Sequence, residues 1–199
     1  MKILKLFIAQ LIISLGIALV INSSLGAFPI TLTNLSISNL TNLSFGLVSM
    51  LVEMFVVVIC LFMKQHVGLA TLINAILGGY FIDFILLFLP LPNTFIFKLL
   101  FVILGSMVLI YGFYIQGKQG LGKSSTNLLT AAIRRKTGCS ITTIKTIQEV
   151  SFVLIGLLGA YKSFGIATII LSLFFGKLMD VIYNKLNYDP AKITHKTLF

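Results

Sequence analysis

Residues 45–63 and 95–115 form two apolar runs that carry one charged residue each, Glu53 and Lys98. Each run approaches or exceeds the roughly 20 residues that an α-helix needs to cross the hydrocarbon core of a bilayer. The whole chain is 58% hydrophobic and 10% charged, with a mean hydropathy of +1.07. This composition excludes an ordinary soluble domain and predicts an all-α, polytopic membrane protein, with the lipid bilayer as its first partner.

Six transmembrane helices are expected, with boundaries accurate to about 2–4 residues. They lie at 4–22, 45–63, 68–89, 95–115, 140–160 and 164–186. The first run follows Lys2 and Lys5 and resembles a signal peptide. We interpret it as a retained helix, because its Gly16 recurs as Gly112 in the fourth run. The chain is then a single membrane domain over 1–199, ending in a cytoplasmic tail at 189–199.

The basic residues lie on one side of this six-helix arrangement. The formal net charge of +10 suggests nucleic acid at first sight, but no polar domain is present to read it, so no nucleic-acid partner is expected. The positive-inside rule instead places both termini in the cytoplasm. The residues on that side are Lys2, Lys5, Lys64, Lys118, Lys123, Arg134, Arg135, Lys136, Lys185, Lys192 and Lys196, against Lys98 and Lys162 on the other.

Four of the five acidic residues form two pairs at a nearly constant offset. Glu53 recurs as Glu149 after 96 positions, and Asp83 recurs as Asp180 after 97. We interpret the chain as a duplication, with unit one at 1–92 and unit two at 93–188. Three helices per unit is an odd number, so the second unit enters the membrane from the opposite side. This predicts inverted repeats related by an axis in the membrane plane, an arrangement common in transporters.

A short polar segment follows the first helix of each unit, at 26–40 and at 122–138. Both are too short and too polar to span a bilayer. Gly26 and Gly122 open them, and Pro29 or Ser124-Ser125 marks a helix start. We predict two short helices with turns at Gly26, Pro29 and Gly122. A re-entrant position and a position on the membrane surface are both open.

The third helix of each unit carries small residues at a spacing of four. This spacing keeps them on one face, where small side chains let another helix approach. We predict a packing face between the two units. Its members are Thr71, Ala75, Gly79, Thr168, Ser172 and Gly176, and each series ends on an aspartate, Asp83 or Asp180. The aspartates could cap a neighbouring helix, pair with a lysine or bind a cation.

Glu53 and Glu149 lie 8–9 residues into their helices, about 12–13 Å deep at 1.5 Å per residue. A glutamate there is protonated, paired or facing water. It could bond to the backbone of its own unit's short segment, relay protons or bind a coupling cation, or recognise a polar substrate. Lys145 stands one turn before Glu149 and predicts an ion pair. Ser49 takes that place before Glu53, which makes Glu53 the first candidate for a functional acid.

Motifs of enzymes and metal sites are absent from the sequence, including HExxH, GxSxG and GxxxxGK[ST]. Cys60 and Cys139 form no CxxC pair, and His66 and His195 are isolated. We therefore expect no enzyme activity, no catalytic residue, no cofactor and no metal site.

Short glycine-based motifs give the chain a family resemblance. They are Ser24-Leu25-Gly26-Ala27-Phe28-Pro29, Ser44-Phe45-Gly46 and Gly68-Leu69-Ala70-Thr71 with Gly79 and Asp83, followed by degenerate copies at Gly120-Leu121-Gly122, Gly165-Ile166-Ala167-Thr168 and Asp180. With these motifs the chain resembles the YczE-like, YitT-related small bacterial membrane proteins. The resemblance implies a protein of the bacterial cytoplasmic membrane and little about its substrate.

The function favoured by these patterns is a small permease or secondary transporter of an unidentified solute or ion, with the four acids as candidate binding residues. A substrate-binding membrane subunit that works with an energy-coupling partner is the first alternative. A non-transporting regulator of a membrane complex is the second. A homo-oligomer and a partner subunit are both open.

Overall fold

The computed structural model describes residues 2–188, apart from the side chain of Ile141. The predicted tail at 189–199 lies outside the described residues. The described chain is helical throughout, in the order α1 (Lys2–Asn22), α2 (Pro29–Thr41), α3 (Phe45–Phe62), α4 (Leu69–Phe88), α5 (Phe95–Lys118), α6 (Ser125–Thr137), α7 (Ile141–Ala160) and α8 (Ile166–Lys185), with a 3₁₀ turn at Tyr161–Ser163 before α8.

Six of these helices, α1, α3, α4, α5, α7 and α8, are long and apolar enough to cross a membrane by length and composition. The prediction of an all-α membrane protein with six spanning helices is confirmed. The expected boundaries agree with the helix ends to within about three residues, the usual uncertainty for helix ends. The largest difference is at α5, which continues to Lys118.

The two short helices predicted at 26–40 and 122–138 are also confirmed, as α2 and α6, each of 13 residues. Pro29 occupies the start of α2, where its missing N–H costs nothing. Each helix stops at a residue in the left-handed conformation, Asn42 with φ 56° and Gly138 with φ 70°. These two positions are 96 residues apart, so the short helices end in the same way at equivalent positions.

Helix α2 lies along α7, and its polar side chains bond to α7 carbonyl groups. Thr33 donates to the carbonyl oxygen of Phe152 at 2.7 Å, and Ser36 donates to that of Ile155 at 3.0 Å. Helix α6 contacts α3 and α7. The face of α2 that carries Thr33 and Ser36 is buried. Protein therefore satisfies the hydroxyl groups of Thr33 and Ser36, as buried polar groups require.

Helices α1 and α5 pack extensively on each other, and glycines let their backbones approach. A Cβ on Gly16 would lie 2.7 Å from the carbonyl oxygen of Gly105, and a Cβ on Gly112 would lie 3.2 Å from that of Ala9. Each side chain added there would push the two backbones apart. The glycine that recurs in the first helix of each unit is therefore a contact residue in both.

The chain segments that enter the two short helices are held in the same way. The N–H of Ala70 in α4 donates to the carbonyl oxygen of Leu121 at 2.9 Å. The N–H of Ala167 in α8 donates to that of Leu25 at 3.0 Å. Donors and acceptors are related by the offsets of 97 and 96. Each of these two contacts, called a crossing below, joins the first half of the chain to the second.

Threonine side chains add a second bond at each crossing. The hydroxyl of Thr71 donates to the carbonyl oxygen of Lys123 at 2.6 Å, and the hydroxyl of Thr168 accepts from the N–H of Ala27 at 2.9 Å. The intervening turns need φ values of 142° and 135°, which favour the glycines found there, at 26 and 122. Of the three residues predicted at turns, Gly26 and Gly122 have a positive φ, whereas Pro29 is the first residue of α2.

The two halves differ at their last helix. Helix α4 packs closely on α3 and α1, whereas α8 packs mainly on α5 and makes at most a marginal contact with α7. A Cβ on Gly79 of α4 would overlap the carbonyl oxygen of Gly46 in α3, whereas a Cβ on Gly176 of α8 would meet nothing within 4 Å. Equivalent helix pairs are therefore closed in the first half and separated in the second.

Candidate functional site

Glu53 lies at the middle of α3 and reaches α6, the short helix of the other half. The hydroxyl of Ser125, the first residue of α6, donates to its carboxyl oxygen. A bond from Glu53 to the backbone of its own unit's segment, which is α2, was one of the three roles left open, and the structure shows a bond to a side chain of α6 in its place. The cause is the packing of α3, whose contact with α6 brings the Ser125 hydroxyl to the carboxyl group.

Asp83 caps a neighbouring helix, one of the three roles predicted for it. Its carboxyl group accepts from the N–H of Gly46, in the first turn of α3, at 2.7 Å. The positive end of the α3 dipole favours a carboxylate at this point. Gly46 and Gly79 let α4 approach closely enough for this bond, because neither carries a side chain. The contact between α3 and α4 thus combines close packing with a helix cap.

The equivalent features of α8 are not in contact with α7. Asp180, Ser172 and Gly176 are all exposed. No hydrogen bond or ion pair joins Asp180 to another residue of the part of the chain that the structure describes. Of the residues of the predicted packing face, Thr71, Ala75, Gly79 and Thr168 are buried. Ser172 and Gly176 are exposed, because α8 stands away from α7.

The residues of the predicted packing face also contact partners that were not expected. Only the two threonines contact the opposite half, through Lys123 and Ala27. Gly79 contacts Gly46 of its own half. The small residues of α4 therefore serve two contacts, one at each end of the helix.

Glu149 lines a cavity of about 60 Å³ between α2, α6 and α7. The cavity is walled by the first turns of both short helices and by one face of α7. Ile30 of α2 and Thr126 of α6, which are 96 residues apart, both line it. The cavity therefore lies where equivalent parts of the two halves meet.

Lys145 lines the same cavity as Glu149, but the two side chains do not form the expected ion pair among the described residues. Lys145 is exposed and Glu149 is half-buried. The charge of Lys145 still acts on Glu149 through space. The cavity therefore presents one cationic group and one carboxyl group, neither bonded to the other.

Gln148 is a cavity residue that the sequence analysis missed. Its amide oxygen accepts from the hydroxyl of Thr130 at 2.7 Å. Its amide nitrogen is buried and has no hydrogen-bond partner. The available signal was a glutamine beside a glutamate on an otherwise apolar helix, a costly residue in a membrane. Ser125 was noted only as a helix start, and its contact with Glu53 was not expected.

The remaining candidate ligands are scattered. Cys60 is buried and Cys139 is exposed, and both are free. Within residues 2–188 no three His, Cys, Asp or Glu side chains come together in a way that could hold a metal ion. Glu53 and Asp83 each bond to a partner of their own.

Comparison with known proteins places most of the chain in one family. The family model described as "Family of unknown function (DUF6198)" matches residues 1–184. A Haemophilus influenzae protein described as uncharacterized is 28% identical over 184 residues, which cover 90% of this chain and 82% of that protein. The Bacillus subtilis uncharacterized membrane protein YczE is 26% identical over 194 residues, covering 94% and 90%. No solved structure matches significantly.

Proposed function

Since the chain belongs to the DUF6198 family of membrane proteins, which is a family of unknown function, we propose its role from the geometry: it is a small permease or secondary transporter that works by alternating access. In this mechanism a central site opens to one side of the membrane and then to the other. Inverted repeats provide it when equivalent helices exchange conformations around that site.

The reciprocal contacts support the inverted repeat. The Ala70–Leu121 and Ala167–Leu25 bonds relate each half to the other by the same offsets as the acids. The α3–α6 and α2–α7 contacts are likewise equivalent pairs. Repeat unit one is then 1–92 and repeat unit two is 93–188. The short helices α2 and α6 re-enter the membrane, and protein buries polar side chains of each. Among them are Thr33 and Ser36 in α2 and Ser125 and Thr130 in α6.

The distribution of the basic residues supports an orientation with both termini in the cytoplasm. Helix α3 then begins at the outer surface and α7 begins at the cytoplasmic surface. The contact of Asp83 with Gly46 closes the outer end of α3 and α4. The separation of α8 from α7 opens the cytoplasmic end of the second half.

The difference between these two equivalent contacts is the observation that carries the proposal. Beside the closed contact, Glu53 is bonded to Ser125. Beside the open one, Glu149 faces a cavity, about two turns beyond Thr142 on the same helix. One carboxyl group is engaged while its equivalent is free. This is the pattern of a transporter resting open to the cytoplasm.

In the alternate state α8 closes on α7, and Asp180 accepts from the N–H of Thr142 as Asp83 does from Gly46. Thr142 carries a side chain where Gly46 has none, so the closed α7–α8 contact is wider. Its hydroxyl offers Asp180 a second donor. Residues 142 and 176 then lie side by side.

A disulfide bond tests this closure. The variant Thr142→Cys/Gly176→Cys, in a Cys60→Ala/Cys139→Ser background, is oxidised in liposomes. We expect cross-linking that arrests solute flux, with recovery on reduction. The matched control is Thr142→Cys/Leu178→Cys, because residue 178 lies about 200° around α8 from residue 176. A folded Thr142→Cys/Gly176→Cys variant that never cross-links, with normal flux, would show that α8 is permanently separated.

Transport itself is tested with proteoliposomes and a panel of small amino acids, short carboxylates, amines and alkali cations. We expect flux of at least one solute class. Glu149→Gln should lower that flux more than about tenfold without changing the melting temperature, because the carboxyl charge is lost while the shape is kept. No flux across the panel by correctly folded protein would remove the transporter proposal and favour the subunit that needs a partner.

A further inference from the structure

We infer that the cavity between α2, α6 and α7 binds a small zwitterion, a molecule with an ammonium group and a carboxylate group about the size of glycine. This inference rests on the proposed function, in which the cavity is the substrate site. It goes further by naming the class of substrate. Three features of the cavity wall carry it: two helix N-termini with Lys145, the carboxyl group of Glu149, and the unbonded amide of Gln148.

The carboxylate end of the ligand is matched by the two short helices. Ile30 lies in the first turn of α2, and Thr126 and Asn127 lie in the first turn of α6. Neither helix has a side-chain N-cap bond. Uncapped first-turn N–H groups and the positive end of the dipole attract anions. Lys145 adds a full positive charge beside them.

The ammonium end is matched by Glu149. Its carboxyl group lines the cavity and, within the described residues, forms neither a hydrogen bond nor an ion pair. Lys145 is one turn away on the same helix and does not neutralise it directly. Glu149 and Lys145 are thus available to two opposite charges at once. A zwitterion is the small ligand that carries both.

Gln148 supplies a neutral hydrogen-bonding group to the same ligand. The Thr130 hydroxyl has one proton and contacts both the carbonyl oxygen of Thr126, at 2.9 Å, and the near end of the Gln148 amide, at 2.7 Å. The far end of the amide is buried and has no partner. A buried polar group without a partner is costly. A polar group of the ligand would satisfy it, and this observation is independent of the helix N-termini.

The size and charge of the cavity limit the class of molecule that it can bind. A volume of about 60 Å³ holds a ligand of few heavy atoms. A simple anion would leave Glu149 facing negative charge. A simple amine would face Lys145 and two positive helix ends. Glycine and β-alanine carry both charges and so avoid both like-charge contacts. A bulky amino acid does not fit the cavity.

The test is equilibrium binding of radiolabelled glycine to the detergent-purified full chain, with acetate, methylammonium and β-alanine as competitors. We expect β-alanine to compete more strongly than acetate or methylammonium. Lys145→Gln and Glu149→Gln should each weaken glycine binding about tenfold or more, since each removes a charged partner. The matched control is Lys177→Gln, an exposed lysine of α8 outside the cavity wall, which should bind as the wild type does.

Gln148→Leu separates a binding role from a structural one. Removing the unbonded buried amide should leave the melting temperature unchanged or raise it, while glycine binding falls. Thr130 keeps an acceptor in the carbonyl oxygen of Thr126, at 2.9 Å. A variant that melts higher and binds glycine normally would exclude Gln148 from the site and overturn the assignment of the amide.

The binding and flux experiments distinguish a failure of the zwitterion site from a failure of the transporter proposal. Wild-type protein that binds no glycine or β-alanine, yet transports another solute of the panel, would overturn the zwitterion site and leave the transporter standing. Glycine binding that Lys145→Gln and Glu149→Gln leave unchanged would also overturn it. Glycine binding with the expected variant losses but without flux would support the site and remove the transporter.

Discussion

The helix pair α3–α4 of the first half packs differently from the equivalent pair α7–α8 of the second half. The last helix of each pair nevertheless carries a glycine and an aspartate at equivalent positions. Gly79 and Asp83 contact the start of α3, whereas Gly176 and Asp180 are exposed. The residues opposite also differ, because Gly46 lies opposite α4 whereas Thr142 holds the equivalent position on α7. A recurring motif therefore predicts an equivalent position in the chain and does not by itself predict an equivalent contact.

A second difference acts on the other side of α8. The carbonyl of Gly78 in α4 accepts from the hydroxyl of Ser14 in α1 at 3.1 Å. The equivalent residue in α8 is Phe175, whose ring packs against that of Phe28 with centroids 5.0 Å apart. Helix α8 packs less extensively on α5 than α4 packs on α1. Helix α8 is thus loosely held on both sides, as a moving element requires.

The largest expected contrast is between Gly79→Leu and Gly176→Leu. A side chain at 79 would overlap the backbone of Gly46, so we expect a loss of about 3 kcal/mol or more in the free energy of unfolding. At 176 nothing lies within 4 Å, so the melting temperature in detergent should stay that of the wild type. Flux should fall in Gly176→Leu if α8 closes on α7.

Equal losses of stability in both glycine variants would break the comparison. They would mean that α8 packs on α7 in the resting protein. Gly79→Ala and Gly176→Ala complete the series, with a smaller loss at 79 and none at 176.

The two crossing threonines should lose similar amounts of stability when replaced, because each bonds to a backbone group at the equivalent position of the other half, Thr71 as donor and Thr168 as acceptor. Thr71→Val removes a bond to the carbonyl of Lys123, and Thr168→Val removes one from the N–H of Ala27. Each leaves one backbone group without a partner, at a cost of about 1–3 kcal/mol. Thermal melts of both variants measure it. A loss at only one site would show that the crossings are not equivalent.

Much of this architecture could be predicted because membrane helices and matched acids are local features of the sequence. Apolar length predicts the spanning helices, and Pro29 predicts the start of α2. The contact of Glu53 with Ser125 and the exposure of Gly176 could not be predicted. They depend on which helix lies opposite, and a single sequence does not say which helix that is. Gln148 was missed because its role appears only with the cavity around it.

A smaller contrast separates the two aspartates. Asp83→Ala removes the cap on Gly46, so we expect a loss of about 0.5–2 kcal/mol in the free energy of unfolding. Asp180→Ala removes no contact of the resting structure and should not change the melt. Asp83→Asn keeps an acceptor and should fall between Asp83→Ala and the wild type. A destabilised Asp180→Ala variant would place Asp180 in a contact that α8 does not make here.

A small loss of stability is expected for Glu53→Gln, about 0.5 kcal/mol or less, because the amide oxygen of glutamine can still accept from Ser125. Glu149→Gln should change stability even less, since no bond holds that carboxyl group. Flux should fall in both variants although their stability hardly changes. This result is expected if Glu53 and Glu149 exchange roles as the halves exchange conformations, even though only Glu149 lines the cavity in the resting state. A melt and a flux assay on the same preparations decide. Lost flux in Glu149→Gln alone would make Glu53 a structural partner of Ser125, and the two halves would then differ in function as well as in packing.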